Sequence, residues 1–216
     1  MSENDKKKVE EEPGVAEAKA LLEKLQKQRD PDFPIQDQEI VDPKVLQKMQ
    51  KSLVELGDTA VWSVSSAKHG NGVLQLRDGN PGTFWQSDGV LPHSIDVALP
   101  KVSLVHYVAI FVSYAGDESY TPKKMIVRAG THEGDLADVA APTDLESPNG
   151  WIVIRCSDRS TSKDMPVWAN MVSVSIVENH QNGRDTHVRG VKVFGPYMDP
   201  EYSSTEMLMS TGVQLR

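Results

Sequence analysis

The chain has 216 residues, 38% hydrophobic content and a formal net charge of −8, which suits one globular domain with a tail and opposes a broad electrostatic affinity for nucleic acid. No apolar run approaches the roughly 20 residues of a membrane-spanning helix. The opening MSENDKKKVEEE lacks the apolar stretch of a signal peptide, so a soluble intracellular protein is expected, with neither nucleic acid nor membrane as partner. A single thiol, Cys156, excludes an internal disulfide, and the lack of any CxxC pair excludes a zinc finger or a dithiol redox motif.

Residues 1–56 hold 10 basic and 13 acidic side chains but one aromatic, Phe33, whereas all four tryptophans lie beyond Gly57. Core-forming material is therefore concentrated downstream. This predicts a charged, partly helical extension over 1–56, a domain over 57–196 and a flexible C-terminal tail over 197–216. Within the extension, Val15, Ala18, Leu21, Leu22 and Leu25 form one helical stripe behind Pro13. A second helix is predicted over 43–56, with Asp42 as its cap and Pro43 as its first residue. Two short amphipathic helices joined by a Pro-rich loop account for this pattern, and partner docking is the alternative.

From Ala60 the period becomes two. AVWSVSS, HSIDVAL, LVHYVAIFV, KKMIVRAG, WIVIRC, MVSVSIV and VRGVKVF are short, rich in Val and Ile, and bounded by turn residues. In HSIDVAL, Ile95, Val97 and Leu99 alternate with Ser94, Asp96 and Ala98, which describes a strand with one buried face. LVHYVAIFV is apolar on both faces and reads as a central strand. No helical stretch long enough for a parallel crossover separates these segments. The predicted fold is all-β, a jelly-roll β-sandwich, with Trp62, Trp85 and Trp151 in its core.

Polar groups crowd into TFWQSDG, GDESYTP and ENHQNGRDTHVR, where a two-residue hairpin would have sufficed, and such loops carry function more often than strands. The bland alternative for the third is a hairpin loop turning at Asn182-Gly183. His180 and His187, with Asp185, are a weak metal-ligand set, because a seven-residue gap in a strand-and-loop region fixes no coordination geometry. Asp117, Glu118 and Asp185 are the carboxylates from which a glycosidase pair would be drawn, though nothing in the sequence sets their separation. Neither a GxSxG nucleophile elbow nor a Walker or GxGxxG phosphate loop is present; the nearest run is GNG at Gly70–Gly72. A rigid β scaffold presenting mixed donors and acceptors, Asp117 to Tyr120 on one loop and Asn179 to Asp185 on another, suits an extended peptide or a sugar. For a sugar, Tyr120 and Trp168 are the aromatic platforms.

The stretches AVWSVSSAKHGNGVLQLRDGNPGTFWQSDGVLPHSIDVAL, DESYTPKKMIVRAG, SPNGWIVI and NHQNGRDTHVRGVKVF, in that order, resemble the DOC domain in the form carried by subunit 10 of the anaphase-promoting complex. The resemblance spans about residues 57–196. It implies a galactose-binding-like jelly roll without catalysis and without a cofactor, inside a multisubunit ubiquitin ligase of the cell cycle, in nucleus and cytoplasm. The implied role is a processivity factor that forms, with a β-propeller coactivator, the receptor for the destruction-box degron, an extended RxxLxxxxN-like peptide.

By position, Ser119 and Asn182 are the first degron contacts, with His180 and Gln181 on the same surface. Asp117, Glu118, Tyr120, Gly183, Arg184 and Asp185 are expected to support the loops, as are Ser87 and Asp88. The family ends in an Ile-Arg dipeptide that docks into a tetratricopeptide-repeat scaffold subunit, and this chain ends in Leu215-Arg216. The alternative on this reading is an intracellular carbohydrate- or peptide-binding jelly roll outside that complex.

Overall fold

The computed structural model describes residues 37–158 and 165–197. Twelve strands lie among them in chain order: β1 (Gln38–Val41), β2 (Leu53–Glu55), β3 (Val61–Val64), β4 (Trp85–Gln86), β5 (His93–Val105), β6 (Tyr107–Ser113), β7 (Pro122–Gly130), β8 (Ala137–Asp138), β9 (Asn149–Arg155), β10 (Val167–Asn179), β11 (His187–Val188) and β12 (Gly190–Pro196). One sheet has the order β1-β9-β6-β12-β2 and the other β3-β5-β10-β7-β8, with every pairing antiparallel. A short β11-β4 ladder stands apart from both. Among the described residues no helix is long and apolar enough to cross a membrane.

The period-two patterns do the work expected of them. Ile95, Val97 and Leu99 are buried while Ser94 and Asp96 are half-buried and Ala98 is exposed. Opposite them, Val108, Ile110 and Val112 of β6 and Val191 and Val193 of β12 complete the core between the sheets. This is the two-layer sandwich of jelly-roll type. LVHYVAIFV departs from expectation by being two strands. β5 ends at Val105 in one sheet and β6 begins at Tyr107 in the other, so His106 marks a corner. Cys156 is fully buried, and burial pushes its thiol up to about 12.

Residues 38–56 correct the expected boundary at 57, because they belong to the sandwich. Asp42 caps the helix Pro43–Ser52, its carboxylate accepting from the Lys44 amide at 2.8 Å. Leu46 and Met49 of this helix are buried beside the outer face of the first sheet, where Ala109, Val153 and Phe194 are buried too. Burying a side chain the size of Leu46 or Met49 contributes about 1.5–3 kcal/mol. The helix stops at Ser52 rather than Leu56 because Leu53–Glu55 pair with β12. Glu55 then receives both Arg77 and Lys192. The stripe from Val15 to Leu25 lies outside the described residues.

Of the three tryptophans assigned to the core, Trp85 is fully buried, with its indole N–H donating to the Ser66 carbonyl at 2.8 Å. Trp62 is half-buried against the core and bonds the Gly57 carbonyl, with the Arg77 guanidinium over its ring. Trp151 is a correction. Its neighbour Ile152 takes the inward position, leaving Trp151 half-buried on the outer face with Phe111, ring centres 5.3 Å apart.

Candidate functional site

The three polar segments meet at one end of the sandwich. Asp117 closes a one-turn helix after β6, and its buried carboxylate accepts from Arg189 Nε at 2.8 Å and Nη2 at 2.7 Å, with His187 Nδ1 at 3.0 Å. Burial alone would raise this carboxyl, but the bonds from His187 and Arg189 and their charges outweigh it and hold the group below the usual carboxylate range. The His187 ring lies between two aromatic rings, Phe84 at 3.9 Å and Tyr120 at 4.3 Å, both nearly parallel to it. Arg189 also donates to the Pro81 carbonyl at 2.7 Å.

Ser119 and Asn182 come together through Gly183. A Cβ at Gly183 would coincide with the Ser119 carbonyl, so the two loops touch backbone to backbone. The His180 amide donates to the Thr121 carbonyl at 3.0 Å, and the Gly183 amide to the His180 carbonyl at 2.9 Å. Gln181 and Asn182 take left-handed φ of 53° and 59° and are exposed; Ser119 and His180 are half-buried beside them. Gln181 donates to the Tyr114 hydroxyl at 3.2 Å, and the His180 ring is tilted against the Tyr114 ring. Burial, with the Lys123 charge, lowers the His180 ring below its ordinary value. All four residues assigned to degron contact thus share one surface.

The supporting residues divide. Ser87 is fully buried and exchanges two bonds with Thr186, accepting from its amide at 2.8 Å and donating its own amide to the Thr186 carbonyl at 3.0 Å. Asp185 pairs with Lys68 at 2.8 Å rather than with Arg184, and the Lys68 bond lowers its carboxyl. Arg184 is exposed and acts through its backbone, its carbonyl lying 2.7 Å from His93 Nε2. Glu118 likewise contributes a backbone turn, with φ 45° and its carbonyl accepting from Thr121. Asp88 is exposed, and its amide donates to Ser66 Oγ at 3.0 Å. Leu215 and Arg216 lie outside the described residues.

Sequence reading quoted the segments but passed over Asn179, Thr186 and Arg189 as supports. Asn179 is almost wholly buried and spans the loop, donating to the carbonyls of Gly183 and Asp185 and accepting from the Thr186 hydroxyl. The available signal was Thr186, His187 and Arg189 flanking Val188 where the loop runs into the predicted strand VRGVKVF, with Val188 alone buried in the core. Trp168 belongs to a different place. It stands at the far end of β10 from Asn179, roughly 36 Å away at strand spacing. One face of Tyr120 is covered by His187, which removes it as a free stacking platform on that side. Among the described residues no group of three or more His, Cys, Asp or Glu side chains is arranged to hold a metal. A separate cleft of about 590 Å³, lined in part by Leu46, Phe111, Trp151 and Arg189, includes none of the residues assigned to degron contact.

The family model described as "Anaphase-promoting complex, subunit 10" matches residues 35–216. The chain belongs to this family. Anaphase-promoting complex subunit 10 of Dictyostelium discoideum is 43% identical over 176 residues, covering 78% of this chain and 91% of that one. The Homo sapiens subunit is 41% identical, covering 72% and 81% respectively. The family match begins just before β1, in agreement with the structural boundary. Among solved structures, a family 32 carbohydrate-binding module of Clostridium perfringens NanJ, in complex with galactose, superposes with a TM-score of 0.55 at 19% identity, covering 67% of this chain and 98% of that one. An F5/8 type C domain from Bacteroides fragilis gives 0.54 at 11% identity, covering 68% and 97%. At these identities the likeness concerns the fold alone.

Proposed function

We propose that this chain is a non-catalytic substrate-recognition and processivity subunit of an anaphase-promoting complex ubiquitin ligase. In this reading it works in nucleus and cytoplasm and forms the destruction-box receptor jointly with a β-propeller coactivator, promoting ubiquitination of cell-cycle substrates. The observation that carries the reading is the loop surface itself. Ser119, His180, Gln181 and Asn182 share it, on two loops whose backbones touch at Gly183. Donors and acceptors on such a loop surface, exposed at Gln181 and Asn182 and half-buried at Ser119 and His180, suit the backbone and polar side chains of an extended peptide. They supply binding, and ubiquitin transfer belongs to other subunits.

Weak contact is sufficient for such a role. When a coactivator holds one half of a peptide, engagement of the other half is intramolecular, and avidity rises by roughly 10²–10⁴ over either site. Longer residence then gives more ubiquitins per encounter. Leu215-Arg216 supplies the anchor in this reading: a branched apolar side chain for a pocket in a tetratricopeptide-repeat subunit, followed by a guanidinium.

Ser119→Ala combined with Asn182→Ala removes two hydrogen-bonding groups. It is expected to shorten substrate dwell on the reconstituted ligase about tenfold, at about 0.5–1.5 kcal/mol per bond, with assembly intact. Unchanged ubiquitins per binding event in a normally assembled complex would reject the degron contact. The same reconstitution with Leu215-Arg216 deleted is expected to lose incorporation of the subunit, and equal incorporation would reject the anchor.

A further inference from the structure

Three segments distant in sequence converge on the Asp117 carboxylate. The loop after β6 brings Asp117, the strand pair β11-β12 brings His187 and Arg189, and the loop before β4 brings Pro81 and Phe84 to the same two side chains. The side chains at the centre are largely withdrawn from solvent, at 2% exposure for Asp117, 10% for His187 and 13% for Arg189. They are poorly placed to touch a peptide lying on the loop surface. Ser119, however, follows Asp117 by two residues, Tyr120 stacks on His187, and the Asn182 loop rests on the Ser119 carbonyl.

We infer that Asp117, His187 and Arg189 are positioning residues that set the separation and orientation of Ser119 and Asn182, so that degron residence depends on a buried ion cluster that does not meet the degron. The inference rests on the degron-contact reading of those two residues. A carboxylate is required because both its oxygens accept from three N–H groups. An amide of the same shape has one accepting oxygen and would turn its own N–H groups toward the guanidinium or the imidazole. Arg189 completes the link, since its remaining nitrogen fastens the Pro81 loop to the same point.

The test uses the full chain carrying Asp117→Asn. Amide hydrogen exchange is read at Thr121, Gly183 and Thr186, whose amides bond within the loops, and at Ile110 and Val174 in the sheets. Substrate dwell on the reconstituted ligase is read with a destruction-box substrate as probe. Exchange in the loops is expected to quicken at least tenfold with the sheets unchanged. Dwell is expected to shorten by about the factor seen for Ser119→Ala with Asn182→Ala, and adding Asp117→Asn to that pair is expected to shorten it no further.

Unchanged loop exchange overturns the inference. So does unchanged dwell with loosened loops when the Ser119 and Asn182 pair still matters, and so does an additive loss in the triple variant. If Asp117→Asn does not fold, His187→Phe is judged by the same criteria, because it keeps a flat ring between Phe84 and Tyr120 and removes the Nδ1 bond alone. If the Ser119 and Asn182 pair leaves dwell at the wild-type value, the degron reading fails by itself. Positioning is then decided by the amide resonances of Ser119 and Asn182 in the Asp117 or His187 variant, where displacement supports it and coincidence with wild type overturns it.

Discussion

Gly183 has φ −59° and ψ 143°, a conformation open to any residue. Its missing side chain serves close approach, since the Ser119 carbonyl occupies the place a Cβ would take. Gly183→Ala is therefore expected to push the two loops apart and to lower stability by about 1–3 kcal/mol, read as a shift in the urea midpoint. A midpoint equal to wild type would mean that the loops part without cost. Asn182-Gly183 announced a turn in the sequence, and the chain does turn there, but the left-handed residues are Gln181 and Asn182. Sequence preference ties glycine to positive φ and is silent about a carbonyl arriving from another loop. The same limit explains why His180 to Asp185 were legible as a polar loop while the Asp117–His187–Arg189 cluster was not. Each member is an ordinary polar residue until folding brings the three together.

At the scale of elements, the alternating strands were legible because one face of each meets the core, and the main surprise lies where LVHYVAIFV crosses between sheets. His106 makes that corner, donating its amide to the Phe194 carbonyl and accepting from Cys156, both at 2.8 Å. An apolar run with one histidine gives no hint of a change of sheet. Burial, with the Arg155 charge adding to it, lowers the His106 ring from 6.5 to about 4. The unfolded chain therefore takes up a proton first on acidification. This contribution to stability is complete above pH 6.5 and declines as pH falls from there toward 4, amounting to about 2 kcal/mol between pH 7 and pH 5. His106→Gln should flatten the pH dependence of the urea midpoint over that window. An unaltered slope in the variant would show that His106 does not carry it. Asp117 and Asp185 act at lower pH, since their lowered carboxyls stabilise the fold above the ordinary carboxylate range and release that stability only as pH falls through it.

For the whole molecule, charge density placed the domain boundary too late. A strand that closes a sheet edge needs little apolar material, and Glu39 and Ile40 of β1 and Val54 of β2 are exposed although both strands are paired. The helix between them announced itself through Asp42 and Pro43, yet its buried face, Leu46 and Met49, does not tell which sheet it covers. Removing residues 1–34 is expected to leave the melting temperature unchanged. Removing residues 1–56 strips Val41, Leu46 and Met49 from the outer face along with the Glu55 pairs, and should cost about 5 kcal/mol or more. Equal melting of the two truncated chains, followed by circular dichroism, would return the boundary to residue 57.

The two edge strands are also short, four residues in β1 and three in β2. They sit against β9 and β12, each of seven residues, whose outward ladders would otherwise stand open. A long open ladder is a template for intermolecular pairing, whereas a stub of three or four residues offers too few bonds to recruit another chain. The segment 38–56 thus acts as a guard against self-association: a protein trimmed to the jelly roll alone would be at risk of aggregation from both flanks of one sheet, whatever its remaining stability.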